Sequence, residues 1–208
     1  NSVLLPRTAN KLYERNKINM TKNIMIVGVG GQGTLLASRV IGAALVSKGY
    51  DVKVSEVHGM SQRGGSVVTY VRYGEKVYSP IIEKGEADII LAFEKLEALR
   101  YMEYLKVGGK MIVNTQEIDP MPVIIGAAVY PENIIKKLEN AGISVKALDA
   151  LEFAKQAGSV KAINIVLLGV LAKSSEIELD VWHNAIKNTV PEKFLDVNLK
   201  AFQLGYEF

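Results

Sequence analysis

Asn23-Ile24-Met25-Ile26-Val27-Gly28-Val29-Gly30-Gly31-Gln32-Gly33-Thr34 decides the fold class, because an apolar strand runs straight into a glycine-rich turn and then into a helical pattern. Gly28, Gly30 and Gly33 meet the G-x-G-x-x-G spacing: one glycine allows the tight turn, one lets backbone approach a ligand, and one lets helix pack on strand. Backbone N–H groups at such a helix start attract anions. The same spacing also serves plain close packing of a first helix, so the motif alone leaves dinucleotide binding and packing both open.

Outward from this corner, short apolar runs alternate with helical patterns. The first helix starts near Thr34, sets Leu36, Val40, Ala43 and Val46 on one side, and stops at Gly49. A second strand covers Val52 to Val57 and a third Ser66 to Arg72, after which Tyr73-Gly74-Glu75-Lys76 reads as a hairpin turn into Val77 to Ser79. Ala87 to Phe93 is a near-continuous apolar strand, followed by a helix from Lys95 to Leu105, a Gly108-Gly109 turn and a strand from Lys110 to Asn114. Pro120 and Pro122 interrupt the connection before Val123 to Tyr130, and Pro131-Glu132-Asn133 opens a further helix. Helical spacing returns in Lys161 to Lys173, Leu179 to Asn188 and Glu192 to Leu204. The pattern predicts a single three-layer α/β/α domain around a mostly parallel but mixed sheet, with a Rossmann-like first βα unit.

Between the second and third strands lies Ser55-Glu56-Val57-His58-Gly59-Met60-Ser61-Gln62-Arg63-Gly64-Gly65-Ser66-Val67-Val68-Thr69-Tyr70-Val71-Arg72. Gly59, Gly64 and Gly65 permit positive φ, so a backbone nest beside the Arg63 guanidinium suits a carboxylate or phosphate. A polar loop closed by two glycines is the plainer alternative. Glu56 also has two readings: the acid that takes ribose hydroxyls in a dinucleotide-binding protein, or a partner that fixes Arg63.

Taken together, the GVGGQG turn, the EVHGMSQRGGSVVTYVR segment and Glu94-Lys95-Leu96-Glu97-Ala98-Leu99-Arg100-Tyr101 resemble the gamma-type subunits of 2-oxoacid:ferredoxin oxidoreductases. Within that group, His58 to Gly65, Tyr78-Ser79-Pro80 and the ending Asn198 to Glu207 look most like the small (beta) subunit of the indolepyruvate enzymes. The likeness runs from Met20 to the C-terminus. It implies a hetero-oligomeric enzyme whose large (alpha) subunit carries thiamine diphosphate and [4Fe-4S] clusters, decarboxylates the 2-oxoacid, captures the acyl unit on coenzyme A and passes electrons to ferredoxin. It assigns this chain no acid, base or nucleophile. The residues placed by these motifs for a cofactor contact, coenzyme A among them, are Gly28, Gly30, Gly31, Gln32, Gly33 and Thr34 in the turn, with Glu56, His58, Ser61, Gln62, Arg63, Gly64 and Gly65 in the loop.

Composition agrees. The 208 residues are 49% apolar and 23% charged, with no stretch suited to spanning a bilayer, and a chain of this length buries roughly 70% of its unfolded surface without a staple. That suits a soluble, cytoplasmic chain. The absence of Cys removes disulfides, thiol nucleophiles and thiolate ligands for an iron-sulfur cluster, so electron transfer is expected elsewhere. A net charge of +3 without a basic run argues against nucleic acid. Residues 1 to 19 are polar, with Arg7, Lys11, Glu14, Arg15 and Lys17, and lack the apolar core of a secretory signal. Because Met20-Thr21-Lys22 directly precedes the first strand, Met20 reads as the native start, with 1–19 an N-terminal extension and 20–208 the domain.

Independent chemistry has little to stand on. The only histidines, His58 and His183, have neither triad partners nor zinc spacing, and the carboxylates form no calcium pattern. Arg72 reads as a solvated or edge charge, Glu94 as a carboxylate at a helix start, His183 as structural or solvated, and Trp182 as core or partner contact. A free-standing nucleotide-binding oxidoreductase using Gly28, Gly30, Gly33 and Glu56, and a non-catalytic regulatory or assembly module, are the rival readings.

Overall fold

The apolar run that opens the domain forms β1 (Lys22–Val29) and passes through the glycine-rich turn into α1 (Thr34–Ser47). A computed structural model describes residues 21–59 and 64–208. The expected extension 1–19, the proposed start at Met20 and the loop residues Ser61, Gln62 and Arg63 lie outside these.

The remaining elements are β2 (Asp51–His58), β3 (Ser66–Gly74), β4 (Ala87–Ala92), α2 (Lys95–Arg100), β5 (Leu105–Asn114), a short helical turn α3 (Met121–Ile124), α4 (Ile134–Asn140), β6 (Ser144–Leu148), α5 (Ala150–Ala157), α6 (Ile163–Lys173), α7 (Leu179–Thr189) and α8 (Leu195–Glu207). The strands form one six-stranded sheet in the order β2-β3-β1-β4-β5-β6. β1, β4, β5 and β6 are parallel, while β3 runs antiparallel to both β1 and β2. The sheet is therefore mixed and mostly parallel, as expected, and the carboxyl ends of β1 and β2 share one edge.

Side-chain alternation sorts the core into two layers. Ile24, Ile26, Val71, Leu91, Ile112 and Leu148 face α1, α5, α6, α7 and α8. Met25, Val27, Val68, Ile90, Met111 and Val113 face α2 and α4. α6 is buried continuously from Asn164 to Ala172, which leaves it no solvent face. Trp182 belongs to this core, and His183 packs edge-on against Phe202 at 5.5 Å.

Several expectations need correction. Val77 to Ser79 is not a strand, because β1 and β2 already fill both edges of β3. Its backbone groups find side chains instead: the Val77 N–H donates to Asp51 Oδ2 (2.9 Å), and Arg72 Nη1 donates to the carbonyls of Ser79 (3.2 Å) and Ile81 (2.7 Å). Arg72 is accordingly a clamp on an interior strand, not an edge charge. Gly108 and Gly109 sit within β5, where the pairing with β4 shifts register, so they form a bulge rather than a turn before the strand. The helix after Phe93 ends at Arg100 and tightens into a 3-10 turn, Met102–Tyr104, instead of reaching Leu105. Ser144–Leu148 and the helix after it carry no clear signal in the sequence pattern.

Among the described residues, no helix is long and apolar enough to cross a membrane.

Candidate functional site

The carboxyl edge of the sheet gathers the glycine-rich turn, the stem of the arginine-containing loop and the β4–α2 corner. The turn begins where β1 ends. Gly31 and Gly33 adopt φ of 99° and 82°, a left-handed region that L side chains enter only at a cost. A Cβ on Gly28 would stand 2.9 Å from Gln32 Oε1 and 3.0 Å from Phe93 Cβ, and one on Gly33 would stand 2.7 Å from Asn164 Nδ2. Gly33 of the fingerprint is thus favoured by its backbone conformation, and Gly28 by close packing against Gln32 and Phe93 within the protein itself.

Gln32 turns inward. Its Oε1 accepts from the Val29 N–H (2.7 Å), while Nε2 donates to the Phe93 carbonyl (2.9 Å) and to Gln116 Oε1 (3.2 Å). A side chain held three ways is a staple for the turn, which sequence spacing alone does not reveal. Asn164 Nδ2 donates to the Gly33 carbonyl (3.2 Å), tying the turn to the start of α6.

The start of α1 is different. Gly33 supplies no side-chain cap, the first turn carries no acid, and the first helical bond runs from the Ala37 N–H to the Gly33 carbonyl. No acceptor among the described residues meets the N–H groups of Thr34, Leu35 and Leu36. Three aligned donors plus the helix dipole make this end electropositive and suited to an anion.

The loop stem is fastened to the turn. The Gly30 N–H donates to the Gly65 carbonyl (3.0 Å), and the Gly59 N–H donates to the Ser66 carbonyl (3.2 Å). Ser66 Oγ donates to Glu97 Oε2 (2.5 Å) and lies 3.1 Å from the Tyr101 hydroxyl. Glu97 is 3% exposed, and burial pushes its carboxyl up, with Ser66 and Arg100 pulling the other way. The glycine-rich turn and the loop stem therefore meet through Gly30 and Gly65.

Glu56 and His58 stand apart from the turn. Glu56 pairs with His58 Nε2 (2.7 Å) and accepts from Thr69 Oγ1 (2.9 Å). In the dinucleotide-binding arrangement the ribose acid ends the strand next to β1. Here β3 intervenes, which puts β2 about 10 Å from β1. Glu56 is therefore set one strand away from the position that takes ribose hydroxyls in that arrangement.

Glu94 organises the neighbouring corner. It is completely buried, caps α2 by accepting from the Glu97 N–H (2.9 Å), and accepts from the Ile118 N–H (3.1 Å) and the Tyr130 hydroxyl. Burial first, and then the Glu94 carboxylate, raise the Tyr130 phenol well above the ordinary tyrosine range. The sequence placed Glu94 at a helix start; it did not show that the same carboxylate pins the Pro120–Tyr130 segment to this edge. That segment has no charged residue, and Met121, Ile124, Ile125 and Val129 are 64, 65, 69 and 87% exposed.

A cavity of about 210 Å3 lies at the opposite edge, among Lys22, Tyr50, Tyr73 and Trp182, and shares no residue with the turn. Among the described residues, no group of three or more His, Asp and Glu side chains is placed to hold a metal ion.

The pyruvate ferredoxin/flavodoxin oxidoreductase family model matches residues 23–208. The chain is 46% identical over 188 residues to the indolepyruvate oxidoreductase subunit IorB of Thermococcus kodakarensis, covering 88% of this chain and 93% of that protein. It is 47% identical over 188 residues to the IorB subunit of Pyrococcus horikoshii, with the same coverage. Among solved structures, the gamma subunit of a keto/oxoacid ferredoxin oxidoreductase from Geobacter sulfurreducens superposes with a TM-score of 0.67 at 26% identity, covering 89% of this chain and 96% of that one. The chain belongs to the pyruvate ferredoxin/flavodoxin oxidoreductase family, as a homologue of its small, gamma-type subunits.

Proposed function

We propose that this chain is the small subunit of a cytoplasmic indolepyruvate-type 2-oxoacid:ferredoxin oxidoreductase. A large subunit holding thiamine diphosphate and [4Fe-4S] clusters would supply the decarboxylation and the electron path to ferredoxin. The observation that carries the reading is the identity of 46–47% to IorB subunits along nearly their whole length.

The carboxyl edge supports a binding and positioning role for this chain. The start of α1 offers the N–H groups of Thr34, Leu35 and Leu36 to an anion, and a phosphate of coenzyme A is the anion such an enzyme must hold. Gln32 keeps the turn in shape, Gly65 holds Gly30, and Arg63, with Ser61 and Gln62 beside it in sequence, would add a guanidinium and polar groups from the loop. The uncharged Met121–Val129 surface, pinned to the same edge by Glu94, suits burial against the large subunit.

The test is an anaerobic assay of arylpyruvate-dependent viologen reduction with coenzyme A, using the large subunit with and without this chain. Coenzyme A-dependent turnover that requires this chain supports the reading. Full turnover by the large subunit alone would reject it.

A further inference from the structure

Ser66 occupies a pivotal place in the sheet. It is the first residue of β3, opposite Val29 at the end of β1, and it follows the glycine whose carbonyl holds the Gly30 N–H. Its own carbonyl holds the Gly59 N–H after β2. The backbone at 65–66 is therefore the point where the ends of β1 and β2 and the stem of the intervening loop are fastened together.

One side chain fixes that point from outside the three strands. Glu97, in the first turn of α2, accepts a hydrogen bond from the Ser66 hydroxyl (2.5 Å), with the Tyr101 hydroxyl 3.1 Å from the same Ser66 oxygen. Arg100 Nη1 stands 3.3 Å from the other carboxylate oxygen, and the Glu97 N–H is anchored on Glu94. A carboxylate this deeply buried costs desolvation, so a site that needed only apolar filling would be better served by leucine or methionine. The acid is kept where it meets the one hydroxyl at the start of β3.

We propose that Glu97 is a positioning residue for the glycine-rich turn: through Ser66 it fixes the 65–66 backbone, and thereby the Gly30 N–H and the approach to the start of α1. A hydrogen bond to a carboxylate is stronger than one between neutral groups, and breaking it here frees the residue whose flanking carbonyls restrain both Gly30 and Gly59. The effect on coenzyme A rests on the proposed function of the turn; the effect on the turn's rigidity does not.

Amide hydrogen exchange on the complex with the large subunit tests the idea, alongside the Michaelis constant for coenzyme A. Glu97→Ala and Ser66→Ala should each speed exchange about tenfold in peptides covering 28–34 and 64–68, leaving β4 and β5 unchanged. Glu97→Gln keeps an acceptor oxygen for Ser66 and should restore most of the protection. The double variant should loosen these peptides little more than either single one, because the bond the two residues share is already lost in each. Unchanged protection, equal loosening of β4 and β5, or no rescue by glutamine would each overturn the proposal. If Glu97→Ala fails to fold, Ser66→Ala, which removes a single hydroxyl, decides the same question. Loosening as described with an unaltered Michaelis constant for coenzyme A would uphold Glu97 as the brace and reject the turn as the coenzyme A cradle.

Discussion

Gln32 Oε1 accepts a hydrogen bond from the Val29 N–H at 2.7 Å, so a residue of the glycine-rich turn closes back on the strand that precedes it. Its amide nitrogen reaches across the sheet edge to the Phe93 carbonyl and Gln116, which makes one side chain the junction of β1, the β4–α2 corner and the segment after β5. Gln32→Ala removes all three bonds and leaves the Val29 N–H without its acceptor. The expected cost is about 2 kcal/mol, read as a fall of about 5 °C in Tm. An unchanged melting temperature would show that solvent replaces these bonds at no cost.

Gly169 and Gly205 let α6 and α8 cross with their backbones in contact. A Cβ on Gly169 would stand 2.1 Å from the Phe202 carbonyl oxygen, and one on Gly205 would stand 2.0 Å from that of Val166. No rotamer relieves a clash with backbone, so the helices must separate. Either Gly→Ala change should cost about 3 kcal/mol or more in urea unfolding, although alanine is the better helix former. A loss below 1 kcal/mol would mean that the crossing is looser than the contact implies.

How far the sequence led can be judged from particular residues. β1 and the start of α1 were legible because an apolar run, three glycines and a helical period fell in register, and the βαβ order from Ala87 to Asn114 was legible from its two apolar runs, though not the end of its helix or the start of its second strand. β6 escaped because Ser144–Leu148 is five residues long with Lys146 in its middle, too short for periodicity to separate from a loop. The hairpin into Val77 failed because local turn chemistry says nothing about which edges of β3 are already taken. In the candidate site, the turn and the loop were each legible as motifs, but not the Gly30–Gly65 bond that joins them. The inward course of Gln32, the hold of Glu97 on Ser66 and the reach of Glu94 to Tyr130 were not, since each joins residues that only the folded topology brings together.

Tyr73 gives the protein an alkaline limit. Burial, then the neighbouring Tyr50, Asp88 and Glu176, push its phenol from 10.0 up to about 12. The folded state thus keeps this proton where the unfolded chain has released it, so the stability it protects is whole below pH 10 and is lost as pH rises toward 12. Tyr73→Phe has no proton to lose in either state. Its stability relative to the native protein should therefore improve by about 1–2 kcal/mol across that window, allowing for solvent screening of a partly exposed ring. Parallel pH profiles of the two proteins would refute the burial argument.

Ile124 and Ile125 test the proposed partner-facing edge without touching the fold. Both side chains are largely exposed, in a helical turn and its continuation that carry no charge from Pro120 to Tyr130. A cluster of exposed aliphatic residues contributes nothing to the isolated chain, so a charge introduced there leaves its Tm within about 1 °C. If the large subunit covers the cluster, Ile124→Asp buries an unpaired carboxylate in the complex and should weaken assembly by at least about 30-fold, near 2 kcal/mol. The measurement is the dissociation constant of the two purified subunits under anaerobic conditions, with Lys187→Asp on the far helix α7 as the charge control. Equal affinities for native and Ile124→Asp chains would place the interface elsewhere, while a fall in Tm of the isolated variant would return the cluster to the fold.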